Sequence, residues 1–156
     1  MTDAPPAQSA APHPPRFNHV GMSMPADELD EAGRAAILAF YGEVFGWQEL
    51  PTLTIDRERL VMMAHRYDQF VFLIADDTPM TTARLDHFGQ SVSSMEELVE
   101  VRDRIVAVRD RLDPDEAAKV DLLDLDVDRH PGLDLHACYV RYRLPLMVET
   151  QYWDWT

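Results

Sequence analysis

The stretch Phe17-Asn18-His19-Val20-Gly21-Met22-Ser23-Met24 returns further along the chain as Leu85-Asp86-His87-Phe88-Gly89-Gln90-Ser91-Val92. Each copy reads apolar, Asn or Asp, His, apolar, Gly, any residue, Ser, apolar. A repeat that opens two halves of a small chain implies a duplicated structural unit. Both copies alternate apolar residues with small or polar ones, the pattern of a strand. Successive side chains of a strand point to opposite faces. His19, Gly21 and Ser23 therefore share one face, and His87, Gly89 and Ser91 share the matching one. If a pseudo-two-fold relates the units, the two histidines are equivalent and can face each other. The Gly and Ser beside each leave open space, which suits a ligand cavity better than a packed core.

The segments after each copy repeat as well. Ile37, Leu38, Tyr41, Val44 and Phe45 recur at helical spacing over Ala35 to Phe45, and Gly46 suits the position just past a helix. Trp47 to Pro51, Arg59 to Ala64 and Gln69 to Ala75 read as strands. The last is apolar on both faces, Phe70, Phe72 and Ile74 against Val71 and Leu73, which predicts burial on both sides. Asp76-Asp77-Thr78-Pro79 is a turn between units. After the His87 strand, Ser93 or Ser94 can cap a helix running to about Leu112, with Leu98, Val101, Ile105 and Val108 inward and Pro114 ending it. Val120 to Val127, Leu135 to Leu144 and Leu146 to Tyr152 read as strands, with His130-Pro131-Gly132 a turn. The order is strand, helix, three strands, twice. This predicts an α+β fold of two paired βαβββ modules, about 16–77 and 84–153, whose mixed sheet curls around a cleft. Residues 1–15, Pro- and Ala-rich, are expected to be a disordered tail.

With 14 Lys and Arg against 28 Asp and Glu, the formal charge of the 156-residue chain is −14. Nucleic-acid backbones and anionic membrane surfaces need clustered cations, so neither is expected as a partner. A small molecule is, and the charge permits a cationic one. The single cysteine, Cys138, forbids an intrachain disulfide and fits a reducing, cytoplasmic compartment. No apolar run approaches the roughly 20 residues of a membrane span, and the start lacks the pattern of a secretion signal.

The closing strand carries one carboxylate, Glu149, among apolar neighbours. Such a group is paired, exposed or bound to a metal. Arg141 and Arg143 on the preceding strand are the nearest candidates for an ordinary ion pair. Two His and one carboxylate on one face leave open positions on a divalent ion. That set suits Fe(II) and also admits Mn, Co, Ni or Zn. Spacing alone does not bring His19, His87 and Glu149 together; the fold must.

The repeated unit, the segment Phe40-Tyr41-Gly42-Glu43-Val44-Phe45-Gly46-Trp47 and the Leu85-Asp86-His87-Phe88 strand resemble the vicinal-oxygen-chelate superfamily. That group includes glyoxalase I, methylmalonyl-CoA epimerase, extradiol dioxygenases and the bleomycin and fosfomycin resistance proteins. The resemblance covers roughly residues 16 to 153. It implies metal ligands at His19, His87 and Glu149. The fourth ligand of glyoxalases and epimerases would fall in Phe70-Val71-Phe72-Leu73-Ile74, which offers none; Asp76 and Asp77 lie just beyond. The resemblance then points to the ring-cleavage branch, with Fe(II) as the metal. His130, Tyr139, Pro145 and Glu149 reproduce the spacing that this branch carries near its C-terminus. There His130 would move protons and Tyr139 would hold a substrate oxygen. Cys138 and Tyr142-Arg143 depart from that pattern. The alternatives are a glyoxalase- or epimerase-type enzyme and a metal-free drug-binding protein. The resemblance also allows a homodimer through the sheet edges.

Overall fold

The computed structural model describes residues 15–155. The expected tail therefore lies, but for Pro15, outside the described residues. The first unit runs β1 (His19–Met24), a 3₁₀ turn (Ala26–Leu29), α1 (Glu31–Phe45), β2 (Gln48–Glu49), β3 (Arg59–Met63) and β4 (Phe70–Ala75). The second runs β5 (His87–Ser91), α2 (Met95–Arg109), α3 (Pro114–Ala117), β6 (Val120–His130), β7 (Leu133–Tyr142) and β8 (Met147–Trp155). Each unit folds into its own four-stranded mixed sheet, in the orders β1-β4-β3-β2 and β5-β8-β7-β6. In both, the His-bearing first strand lies parallel to the last strand of its unit, and the remaining pairs are antiparallel. The paired βαβββ architecture is thus present.

Local chemistry explains the element ends. α1 begins four residues before its clear apolar stripe, because the Asp30 side chain accepts from the Gly33 amide and caps the first turn. Gly46 closes it with φ 75, a left-handed conformation that glycine adopts without strain. Ser94 caps α2 through the Glu97 amide, while the Glu97 carboxylate accepts from the Ser93 amide. Beyond α2, Asp113 accepts from the amides of Asp115 and Glu116, and Pro114 occupies the first turn of the short α3. Pro114 therefore opens a helix as well as closing one, since its missing N–H costs nothing there. Gly132, with φ 81, turns the β6–β7 hairpin where the sequence places it.

One apolar core joins the units. Met22, Met24, Leu60, Met62, Val71 and Leu73 of the first sheet, and Cys138, Val140, Tyr142 and Val148 of the second, pack with the buried stripes of α1 and α2. The helices lie against each other, and Arg104 of α2 donates from Nε to the Val44 carbonyl near the end of α1 at 2.9 Å. The Tyr41 hydroxyl donates to the Tyr142 carbonyl at 3.1 Å and accepts from the Tyr142 amide at 3.0 Å, stitching α1 to the end of β7. Burial raises the Tyr41 pKa, so its hydroxyl keeps its proton.

Each sheet spends one face on this core and keeps the other away from it. β4 is therefore buried on one side and not on two. Val71 and Leu73 are buried, Phe70 and Phe72 are half-buried, and Ile74 is 41% exposed. The buried Val61 and Met147 stand outside the core cluster, on these second faces. Among the described residues no helix is long and apolar enough to cross a membrane.

Candidate metal centre

Register places the chemistry on the faces turned from the core. Gly89 pairs with Glu149, and Tyr139 of β7 pairs with Glu149 from the other side. Directly paired residues point the same way, so β5, β8 and β7 present Gly89, Glu149 and Tyr139 together, with His87 two residues before Gly89. Glu149 is 6% exposed. Its Oε1 accepts a short hydrogen bond from the Tyr139 hydroxyl, and its Oε2 lies 3.4 Å from His87 Nε2. The His87 ring meets the Tyr139 ring edge-on, with centroids 5.3 Å apart. Burial, then the bond to Glu149, pushes the Tyr139 hydroxyl up to about 12, so it remains a donor to the carboxylate.

Gly89 makes room for this arrangement. A Cβ there would stand 3.3 Å from Glu149 Oε2. The arginines named as candidate partners of Glu149 are engaged elsewhere. Arg141 pairs with Asp121, and Arg143 with Glu28 and Glu116. Glu149 is thus held by a phenol and faces an imidazole.

The tautomer of that imidazole follows from its other nitrogen. His87 Nδ1 lies 2.7 Å from the Leu85 carbonyl, which can only accept. Nδ1 therefore carries the proton, and in the neutral ring Nε2 offers its lone pair toward Glu149 Oε2. His19 repeats the device. Its Nδ1 lies 2.8 Å from the Asn18 side-chain oxygen, and its ring stacks on Phe70 at 4.9 Å. A backbone carbonyl or amide oxygen on Nδ1, with Nε2 free, is the usual outer support of a metal-binding histidine. Two donors on one divalent ion sit roughly 3–3.5 Å apart. The His87–Glu149 pair meets that spacing and offers two donors to such an ion.

The third expected ligand is not with them. His19 stands on the face of the first sheet turned from the core. Among the described residues no group of three His, Cys, Asp or Glu is close enough to hold a metal. His130 is also apart. It ends β6 opposite Leu133, with Nε2 3.1 Å from Asp128. Leu133 is six residues along β7 from Tyr139, about 20 Å at strand spacing. The sequence distance between His130 and Tyr139 runs around a hairpin tip and does not fold back. Of the five residues singled out, the chain brings together His87, Glu149 and Tyr139 and leaves His19 and His130 elsewhere. His65 lies in the β3–β4 turn, and His136 stacks on Tyr152 at 6.1 Å.

Two cavities flank these faces. An open groove beside Gly89 continues past Gln151 to the exposed Trp153 and Trp155. On the first sheet a cavity of about 300 Å³ is lined by His19, Leu53, Arg59, Val61, Phe70 and Phe72. Arg59 is a lining residue that periodicity did not flag. A charged side chain opening a strand on the same face as Val61 and Met63 was the available signal.

No family model matches the chain, and no curated protein matches it. Solved structures do. Lactoylglutathione lyase from Agrobacterium tumefaciens aligns with a TM-score of 0.56 at 17% identity, over 88% of this chain and 93% of that one. A mutant of the fosfomycin resistance protein FosX from Listeria monocytogenes, complexed with Mn(II) and 1S,2S-dihydroxypropylphosphonic acid, aligns with a TM-score of 0.56 at 16% identity, over 86% and 89%. A glyoxalase/bleomycin resistance protein/dioxygenase family enzyme from Burkholderia phytofirmans aligns with a TM-score of 0.54 at 12% identity, over 86% and 95%. The chain has the paired βαβββ fold of the vicinal-oxygen-chelate superfamily.

Proposed function

We propose that the protein is a divalent-metal-dependent enzyme acting on a small oxygenated substrate, and that its metal site is completed between two copies of the chain. His87 and Glu149 come from one copy and His19 from the other. The observation that carries this reading is the shared state of the two histidines: each is held through Nδ1 by an oxygen acceptor, with Nε2 presented on an open sheet face. Within one chain both faces are turned from the shared core, and among the described residues no third ligand stands with His87 and Glu149. A second copy can supply His19 with both cores intact, and a two-fold dimer would form the site twice.

The chemistry follows from the capacity of each group. A bound divalent ion would act as a Lewis acid on a substrate oxygen. Tyr139 fixes Glu149 through Oε1 and leaves Oε2 turned to His87. Met147, on the same face, excludes water beneath His87, with which it pairs in register. Phe70 buttresses the His19 ring. Ring cleavage with Fe(II) is the narrower form of the proposal. The His130 side chain that would move its protons lies about 20 Å along the sheet from Tyr139, so Lewis-acid lyase or addition chemistry fits the assembled residues better. That FosX was solved with Mn(II) and a dihydroxypropylphosphonic acid supports a metal bound beside vicinal oxygens on this fold.

Metal analysis of protein purified without chelators tests the proposal. It should give one divalent ion per chain, lost in His87→Ala with the thermal transition retained. A metal-free wild-type protein that stays so after incubation with Fe(II), Mn(II) or Zn(II) would exclude it and favour a binding function. With metal present, oxygen uptake on catechols would restore the ring-cleavage form.

A further inference from the structure

The loop between β2 and β3 is fastened to the first sheet through its backbone. The Thr54 hydroxyl donates to the Leu50 carbonyl at 3.3 Å and accepts from the Val61 amide at 3.3 Å. The Arg57 amide donates to the Leu29 carbonyl at 3.1 Å. Arg59 Nε donates to the Leu53 carbonyl at 2.7 Å, so its guanidinium serves the loop and its hydrocarbon stem is what the cavity meets. These bonds hold Leu53 in the wall of the 300 Å³ cavity, which Val61, Phe70, Phe72, the Arg59 stem and the His19 ring complete. The lining is almost wholly apolar. Phe70 is backed by the His19 ring, 5° from parallel with it. Gly21 pairs with Phe72, and a Cβ added there would come to 3.9 Å of Phe72 Cδ1. Glycine thus leaves bare a ring edge that a larger residue would cover.

A glycine inside a strand commonly marks the close approach of a ligand or of another backbone. The loop spends its hydrogen bonds on backbone groups and keeps its apolar side chain at the edge of an open space. Water in such a space finds few polar partners, and hydrocarbon displaces it with a gain in affinity. An apolar cavity of about 150 Å³ already takes a benzene ring, so this one admits a ring with a short substituent. A charged group would surrender its hydration here with nothing on the walls to replace it. His19, which the proposed metal site uses, lines the same cavity.

We infer that this cavity seats an uncharged aromatic body of the substrate, of phenyl size, so that the substrate is a neutral aryl compound with its oxygens at the His19 end. The place of the oxygens rests on the metal-site reading above; the aryl pocket itself does not. The experiment is therefore run on metal-stripped full-length protein. Benzyl alcohol, benzoate and ethylene glycol are titrated and followed by amide NMR shifts. Benzyl alcohol should give saturable shifts centred on Leu53, Val61, Phe70 and Phe72. Benzoate should bind at least about tenfold more weakly, and ethylene glycol should give no shifts there. Val61→Phe fills the cavity and should weaken benzyl alcohol binding at least about tenfold. Leu53→Asp, at an exposed loop position, should do the same with the thermal transition and gel-filtration volume of wild type, and so serves if Val61→Phe does not fold. Benzoate binding as tightly as benzyl alcohol, no binding of any probe, shifts centred on the Trp153–Trp155 groove, or affinity that survives in Leu53→Asp would overturn the inference. So would a Leu53→Asp protein of altered oligomeric state, which would assign the apolar wall to a contact between copies. Failure to bind metal would leave this result standing, and failure here would leave the metal site standing.

Discussion

Gly89 is a small residue with a specific consequence. Its missing Cβ leaves Glu149 Oε2 free to face His87, and an added methyl would come to 3.3 Å of that oxygen. Gly89→Ala should therefore weaken metal affinity by roughly tenfold while the fold holds or gains stability, since glycine is a poor strand residue. Metal titration beside thermal melts separates the two effects. Tyr139→Phe removes the only hydroxyl that orients Glu149 among the described residues. Loss of such an outer partner lowers metal affinity about 10–100-fold, and competition with a chelator of known strength would measure it. His87, Glu149 and Tyr139 were legible because a repeat, a lone carboxylate on an apolar strand and a resemblance all marked single residues. Arg59 was overlooked as a lining residue, because a charge at the start of a strand reads first as a solvated end.

Elements extend these residues into supports. Tyr41 links α1 to β7 through one hydroxyl that both donates and accepts. Tyr41→Phe leaves a buried N–H and C=O without partners and should lower unfolding free energy by about 1–3 kcal/mol, seen as a drop of several degrees in Tm. Arg143, with φ 59, sits in a left-handed conformation that few non-glycine residues adopt, and its guanidinium ties Glu28 and Glu116 to the end of β7. Lys119, Tyr142 and Arg143 together hold the Glu116 carboxyl down at about 2. A depressed carboxyl stabilises the fold at pH above its unfolded value of about 4.3–4.5. That contribution is lost as pH falls from there toward 2. Denaturant midpoints should fall between pH 5 and pH 3, and Glu116→Gln should flatten part of that fall; an unchanged slope would remove Glu116 from the network. The order of the strands and of the two long helices was legible, since periodicity and caps are local; the short α3 that Pro114 opens was not. The two-sided burial expected of β4 was not borne out, because an apolar strand face can serve a cavity as well as a core. The spacing of His130 from Tyr139 misled for a related reason: it measures chain length around a hairpin, not distance.

At the scale of the whole molecule, the two histidine-bearing sheet faces are both turned from one core. His19, with the Phe70–Phe72 wall, belongs to one sheet, and His87 with Glu149 to the other. The sequence pattern specifies both modules but says nothing of which copy's modules share a cleft. The two-copy site is tested most directly by complementation. His19→Ala and His87→Ala are prepared separately, and each should bind no metal at the site. Unfolded together in equal amounts and refolded, they form mixed dimers in about half of the population. In each mixed dimer one site joins an intact His19 to an intact His87 and Glu149, and the other site lacks both histidines. Metal occupancy should therefore rise from near zero to about one quarter of the wild-type value per chain. A mixture that stays as empty as its components, or single variants that retain full occupancy, would contradict a site shared between two copies.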